Sequence, residues 1–133
     1  MLMLAAMLRL EAGAPLEALP YAQRLVVADP GGAENHFWLG FVHHRRGDLV
    51  GAESAYRNAI QLRANYAEAW NDLGNVLADA GRPAEAIHAF RRAIGCNGGF
   101  AKAYNNLGAV LASQGYFAQA ARAYRSEEHT SEL

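Results

Sequence analysis

The sequence repeats itself every 34 residues, and no other feature constrains its fold as strongly. Ala33-Glu34 recurs as Ala67-Glu68 and again as Ala101-Lys102. Leu39-Gly40 recurs as Leu73-Gly74 and Leu107-Gly108, and Gly47 as Gly81 and Gly115. Ala52 returns as Ala86 and Ala120, and the ring of Tyr56 as Phe90 and Tyr124. A fixed period of this size marks an array of supersecondary units. Such a chain has no single globular core. Each unit buries its apolar face on the next, and function is expected on the surface the stack creates.

Composition agrees with helical units. Twenty-eight of the 133 residues are alanine and only nine are valine or isoleucine, which favours helix over strand. The net charge is -1, so the balance gives no reason to expect a nucleic-acid or anionic-membrane partner. Cys96 is the only cysteine, so no disulfide forms within the chain, and a reducing, cytoplasmic compartment is expected. The apolar opening from Met1 to Leu8 is too short to span a bilayer. It falls in register with the repeat and reads as a helix of a degenerate first unit, residues 1–32.

Within each unit the apolar spacing is helical. Trp70, Leu73, Gly74 and Leu77 fall at i, i+3, i+4 and i+7, on one face. A turn follows at Gly81-Arg82. Pro83 then takes the first position of a second helix, where its missing N–H costs nothing. Ala86, Ile87, Phe90, Ala93 and Ile94 form the second apolar stripe. Each unit therefore reads as helix, tight turn, antiparallel helix. The predicted helices are 33–46 and 49–62, 67–80 and 83–95, and 101–114 and 117–125. They divide the chain into units at 33–66, 67–100 and a truncated 101–124. Glycine in mid-helix costs about 1 kcal/mol relative to alanine. Its recurrence at Gly40, Gly74 and Gly108 therefore implies a close crossing of the second helix, with Ala52, Ala86 and Ala120 as the facing residues.

These residues resemble the tetratricopeptide repeat, whose pattern is W-x2-L-G-x2-Y, then A-x3-F, then P. The third unit reads Trp70-x2-Leu73-Gly74-x2-Leu77 and Ala86-x3-Phe90. The fourth reads Tyr104-x2-Leu107-Gly108-x2-Leu111 and Ala120-x3-Tyr124. The second unit departs from the pattern with His36 and His43, and the closing proline survives only as Pro30. The resemblance implies an all-α, right-handed α-solenoid of antiparallel helix-turn-helix units. It also implies that the first helices line a concave groove for a peptide or protein segment.

Arg125-Ser126-Glu127-Glu128-His129-Thr130-Ser131-Glu132-Leu133 breaks the pattern. Glu127 sits where Ala59 and Ala93 stood, and serine and threonine suddenly cluster. The nine residues resemble the in-frame translation of a common sequencing adapter. On that reading 125–133 is a non-native tail, and the native protein continues differently after Tyr124. Removing its one arginine and three glutamates turns 12 basic and 13 acidic residues into 11 and 10. No polar capping helix closes the fourth unit before the tail. Its apolar side is expected to be exposed and to favour end-to-end self-association.

The resemblance also assigns groove positions. In the third unit these are Glu68, Asn71, Asp72, Asn75 and Asp79, and in the fourth Lys102, Asn105, Asn106, Ala109 and Ser113. In the second they are Glu34, Phe37, Trp38, Phe41 and Arg45. The expected groove has an amide-rich stretch (Asn71, Asp72, Asn75, Lys102, Asn105, Asn106) and an aromatic patch containing Phe37 and Phe41. Asparagine carries two donors and an acceptor on a short arm, which suits pairing with an extended peptide backbone. Lys102 is the only lysine or arginine among these amide-stretch positions, and Asp72 opposes an anion, so a clamp for a C-terminal carboxylate is disfavoured. The aromatic residues have a second reading as core packed against the first unit.

His36, His43 and His44 lack the converging ligands that zinc needs, and His36 and His43 read as half-buried packing residues. Arg45-Arg46 and Arg91-Arg92 read as cations near helix C-termini. No nucleophile, base or phosphate-cradling loop appears, so neither catalysis nor a cofactor is expected. The sequence thus supports a non-catalytic interaction scaffold. The alternative is the recognition arm of a larger enzyme, such as a glycosyltransferase or sulfotransferase carrying these repeats.

Overall fold

The computed structural model describes residues 15–132 and is all helical there. The helices are α1 (Pro15–Ala28), α2 (Ala33–Arg45), α3 (Leu49–Leu62), α4 (Ala67–Asp79), α5 (Pro83–Cys96), α6 (Ala101–Ser113) and α7 (Phe117–Glu132). The opening apolar run and Gly13 of the expected first unit lie outside the described residues. The chain divides into two compact units, 1–64 and 65–133. Among the described residues, no helix is long and apolar enough to cross a membrane.

In the first unit α2 packs against both α1 and α3. Ala18 and Ala22 of α1 meet Val42 of α2, with Leu19, Trp38, Leu39 and Phe41 against them. Tyr56 of α3 is fully buried. In the second unit α4 pairs with α5, α5 with α6, and α6 with α7. Leu73, Val76 and Leu77 of α4 and Phe90 of α5 make its core.

The hairpin turns close in one way. Gly81 has φ +76°, a conformation open to glycine because it lacks a Cβ. Its N–H donates to Ala78 O at 3.0 Å, and the Arg82 N–H donates to Leu77 O at 2.9 Å. This pair of bonds is the Schellman closure of a helix C-terminus. Gly47 and Gly115 repeat it, with Asp48 bonded to His43 O and Tyr116 to Leu111 O. Pro83 then opens α5. In the first unit Asp48 opens α3 instead, its Oδ1 accepting from the Gly51 N–H at 2.9 Å.

The mid-helix glycines do mark a close crossing, and the nearest group is the aromatic ring of the second helix. A Cβ on Gly74 would lie 2.5 Å from Phe90 Cε1. On Gly40 it would lie 2.8 Å from Tyr56 Cδ1, and on Gly108 2.8 Å from Tyr124 Cε1. The flat ring lies over the first helix and fills the space a side chain would need.

The last helix also differs from expectation. α7 does not stop near 125 but runs to Glu132. The residues after Tyr124 include no glycine or proline, so nothing local breaks the helix. Ser126 Oγ donates to Arg122 O at 3.0 Å, one turn back. Glu127 is half-buried, whereas Ala59 and Ala93 at the equivalent positions are fully buried.

Candidate functional site

In the second unit α4 and α6, the first helices of two successive repeats, touch directly. A chain of side-chain bonds joins them. Asn106 Nδ2 donates to Asn71 Oδ1 at 3.0 Å, and Asn71 Nδ2 donates to Asp72 Oδ1 at 3.1 Å. The structure thus brings together Asn71, Asp72 and Asn106 from among the sequence-predicted residues. Asn71 is only 3% exposed. Its amide is used inside the protein, so it positions its neighbours and offers little to a ligand.

Asn75 and Asn106 are half-buried, while Lys102 and Asn105 are exposed. Asn75 falls four residues after Asn71 on α4 and carries the amide face onward, and Asn105 is the exposed sequence neighbour of Asn106 on α6. Neither Asn75 nor Asn105 makes a side-chain hydrogen bond among the described residues. Two amides with full bonding capacity therefore flank the internal Asn106–Asn71–Asp72 chain.

The aromatic residues lie in the first unit. Phe37 is half-buried, its ring centroid 5.8 Å from Trp38 and 5.7 Å from Tyr56. Phe41 lies 5.8 Å from Trp38, and both pack on the Ala18, Ala22 and Val42 cluster. Much of this patch therefore joins α2 to α1, while the rings of Phe37 and Phe41 keep a partly open edge.

The histidines have specific partners. His36 is 8% exposed, with Nε2 2.8 Å from the Pro30 carbonyl oxygen. That oxygen can only accept, so Nε2 carries the proton. His43 Nδ1 lies 3.3 Å from Asp48 Oδ2, beside the turn. Among the described residues no three His, Cys, Asp or Glu side chains converge as metal ligands do.

Arg91 and Arg92 are not helix-end cations, because α5 continues to Cys96 and has no basic residue in its last turn. The Arg92 guanidinium lies 5.1 Å from the centre of the Trp70 ring. Arg91 Nη2 donates to Gln119 Oε1 of α7 at 3.4 Å. Sequence reasoning missed this arrangement. Its only signal was the spacing of His88 and Arg92, one turn apart on α5.

Comparison with known proteins follows the repeat. Two family models, each described as tetratricopeptide repeat, match residues 33–96 and 71–131. No curated protein matches the sequence. A crystal structure of MamA is 27% identical, with a TM-score of 0.90 over 98% of this chain and 77% of that one. A structure of PilF from Pseudomonas aeruginosa is 21% identical, with a TM-score of 0.90 over 98% of this chain and 60% of that one. The architecture shared with both is an all-α solenoid of helix-turn-helix units.

Proposed function

We propose, for a chain that belongs to the tetratricopeptide repeat family, a role as a non-catalytic interaction scaffold that binds an extended peptide or protein segment. The amide face of α4 and α6 is its main surface. The observation that carries this reading is the pair of uncommitted amides, Asn75 and Asn105, beside the fixed Asn106–Asn71–Asp72 chain. An amide can donate to a peptide carbonyl and accept from a peptide N–H whatever the side chains are. Fixing Asn71 and Asp72 inside the protein lowers the ordering cost of binding beside them. Lys102 is the one cation among these groove positions of α4 and α6, against the exposed Glu68 and Asp79 and the half-buried Asp72. That acidic excess disfavours a terminal carboxylate and leaves the neutral amides to pair with a peptide backbone.

The open edges of Phe37 and Phe41 form a second, apolar contact in the first unit, of the kind that dominates interface energies. A peptide-library pull-down tests the reading. The Asn75→Ala/Asn105→Ala variant should lose most captured peptides while keeping its helical spectrum. Equal capture by variant and wild type would remove the amide face from consideration.

Self-association through α7 belongs to the same reading. Tyr124 is 36% exposed, whereas its equivalents Tyr56 and Phe90 are fully buried, and Phe117 is 71% exposed. This leaves an apolar strip for a second copy.

A further inference from the structure

The outward side of α5 carries His88, Arg91 and Arg92, all exposed, and α7 adds the exposed Arg122. Trp70 holds two of these groups in place. Arg92 stacks at 5.1 Å from its ring centre, and the His88 ring meets the indole edge-on at 6.3 Å. Arg91 is held by the neutral amide of Gln119. Elsewhere in the chain Arg57, Arg63 and Arg82 each face a glutamate, at 2.9, 3.6 and 2.6 Å. Among the described residues, Arg91, Arg92 and Arg122 have no carboxylate within ion-pair distance. Three guanidinium charges on α5 and α7 are thus left uncompensated, and two of them, Arg91 and Arg92, are ordered by neutral groups.

We propose that this outer face of α5 and α7 docks an acidic polypeptide segment, at a site separate from the amide face of α4 and α6. A guanidinium has five N–H donors in a planar fork that matches a carboxylate bidentately. Stacking on Trp70 fixes Arg92 before a partner arrives, so less side-chain freedom is lost on binding.

The surroundings favour a short acidic segment over other anions. Glu85 is exposed on α5, and the whole chain has net charge -1. A long uniform polyanion would run from the arginines into that carboxylate, whereas nucleic-acid affinity grows with each phosphate neutralised. The exposed residues beside the arginines are small, Ala84, Gly95 and Ala118. These small residues give a membrane little to take up at the arginines, and the exposed Phe117 of α7 lies more than a turn from Arg122.

The test uses the full chain and a labelled peptide of alternating glutamate and serine, read by fluorescence anisotropy. Wild type should bind it more tightly than the glutamine-serine counterpart, whose remaining binding reports the side-chain-independent amide face. Two exposed ion pairs together correspond to roughly tenfold in affinity, so Arg91→Gln/Arg92→Gln should weaken binding by about that factor. Asn75→Ala/Asn105→Ala should weaken binding of both peptides and keep the preference for the glutamate one, which separates this site from the amide face. If the double variant loses helicity, Arg122→Gln, at an exposed position, should show a smaller loss in the same direction. Undiminished binding by a folded variant overturns the proposal. So does arginine-dependent binding of single-stranded DNA or phosphatidylserine vesicles without binding of the acidic peptide.

Discussion

Asn106 donates a side-chain hydrogen bond to Asn71 across 3.0 Å, and the two residues sit on the first helices of successive repeats. Because Asn71 is buried, removing its partner leaves an acceptor without water or protein to pair with. Asn106→Ala should therefore destabilise the second unit by about 1–3 kcal/mol. Replacing Asn71 with leucine as well should recover part of that loss, since no orphaned polar group remains. Urea titration of the single and double variants checks both statements. Additive losses would show that the two amides do not depend on each other.

Gly74→Ala sets two effects against each other. Alanine gains about 1 kcal/mol of helix propensity. Its Cβ would also lie 2.5 Å from a buried Phe90 ring, and overpacking costs about 1–3 kcal/mol. Strain should win, and Gly74→Ala should melt below wild type. Gly108→Ala should be milder, because Tyr124 is partly exposed and can swing outward. Thermal melts giving the same loss at both positions would contradict this account.

Asp48 caps α3 through the Gly51 N–H at 2.9 Å, whereas α2, α4, α5 and α6 have no side-chain cap bond. Asp48→Ala should cost about 1 kcal/mol. Hydrogen exchange should accelerate first at the start of α3. A uniform change across both units would point to some other cause.

Phe117 and Tyr124 leave apolar surface on α7. Phe117→Ser/Tyr124→Ser should lower the average mass seen by sedimentation at high protein concentration. A wild-type chain that stays monomeric across the concentration range would remove self-association from the proposed role.

The repeat made most of the fold legible. Its period located the hairpin turns at Gly47, Gly81 and Gly115, and the helices from α2 to α6 begin where the spacing placed them. The facing partner of the glycines was not legible, because helical spacing assigns a residue to a face and not to a depth. Phe90 reaches over Gly74 and comes nearest to it. The stop of α7 was misplaced because a broken repeat pattern is not a broken helix. Asn71, Asn75 and Asn106 were visible as a polar set. Which of them is used internally depends on a contact 35 residues apart in sequence. Arg91 and Arg92 looked like helix-end charges because their partners, Trp70 and Gln119, lie on other helices.

The three turn glycines, Gly47, Gly81 and Gly115, share one backbone conformation and one pattern of closing bonds. Any two of them are interchangeable as joints. Unequal recombination between the gene segments that encode them inserts or removes a whole hairpin, and both new junctions keep a turn that already works. An array built this way can change length in single genetic steps without passing through a misfolded intermediate sequence.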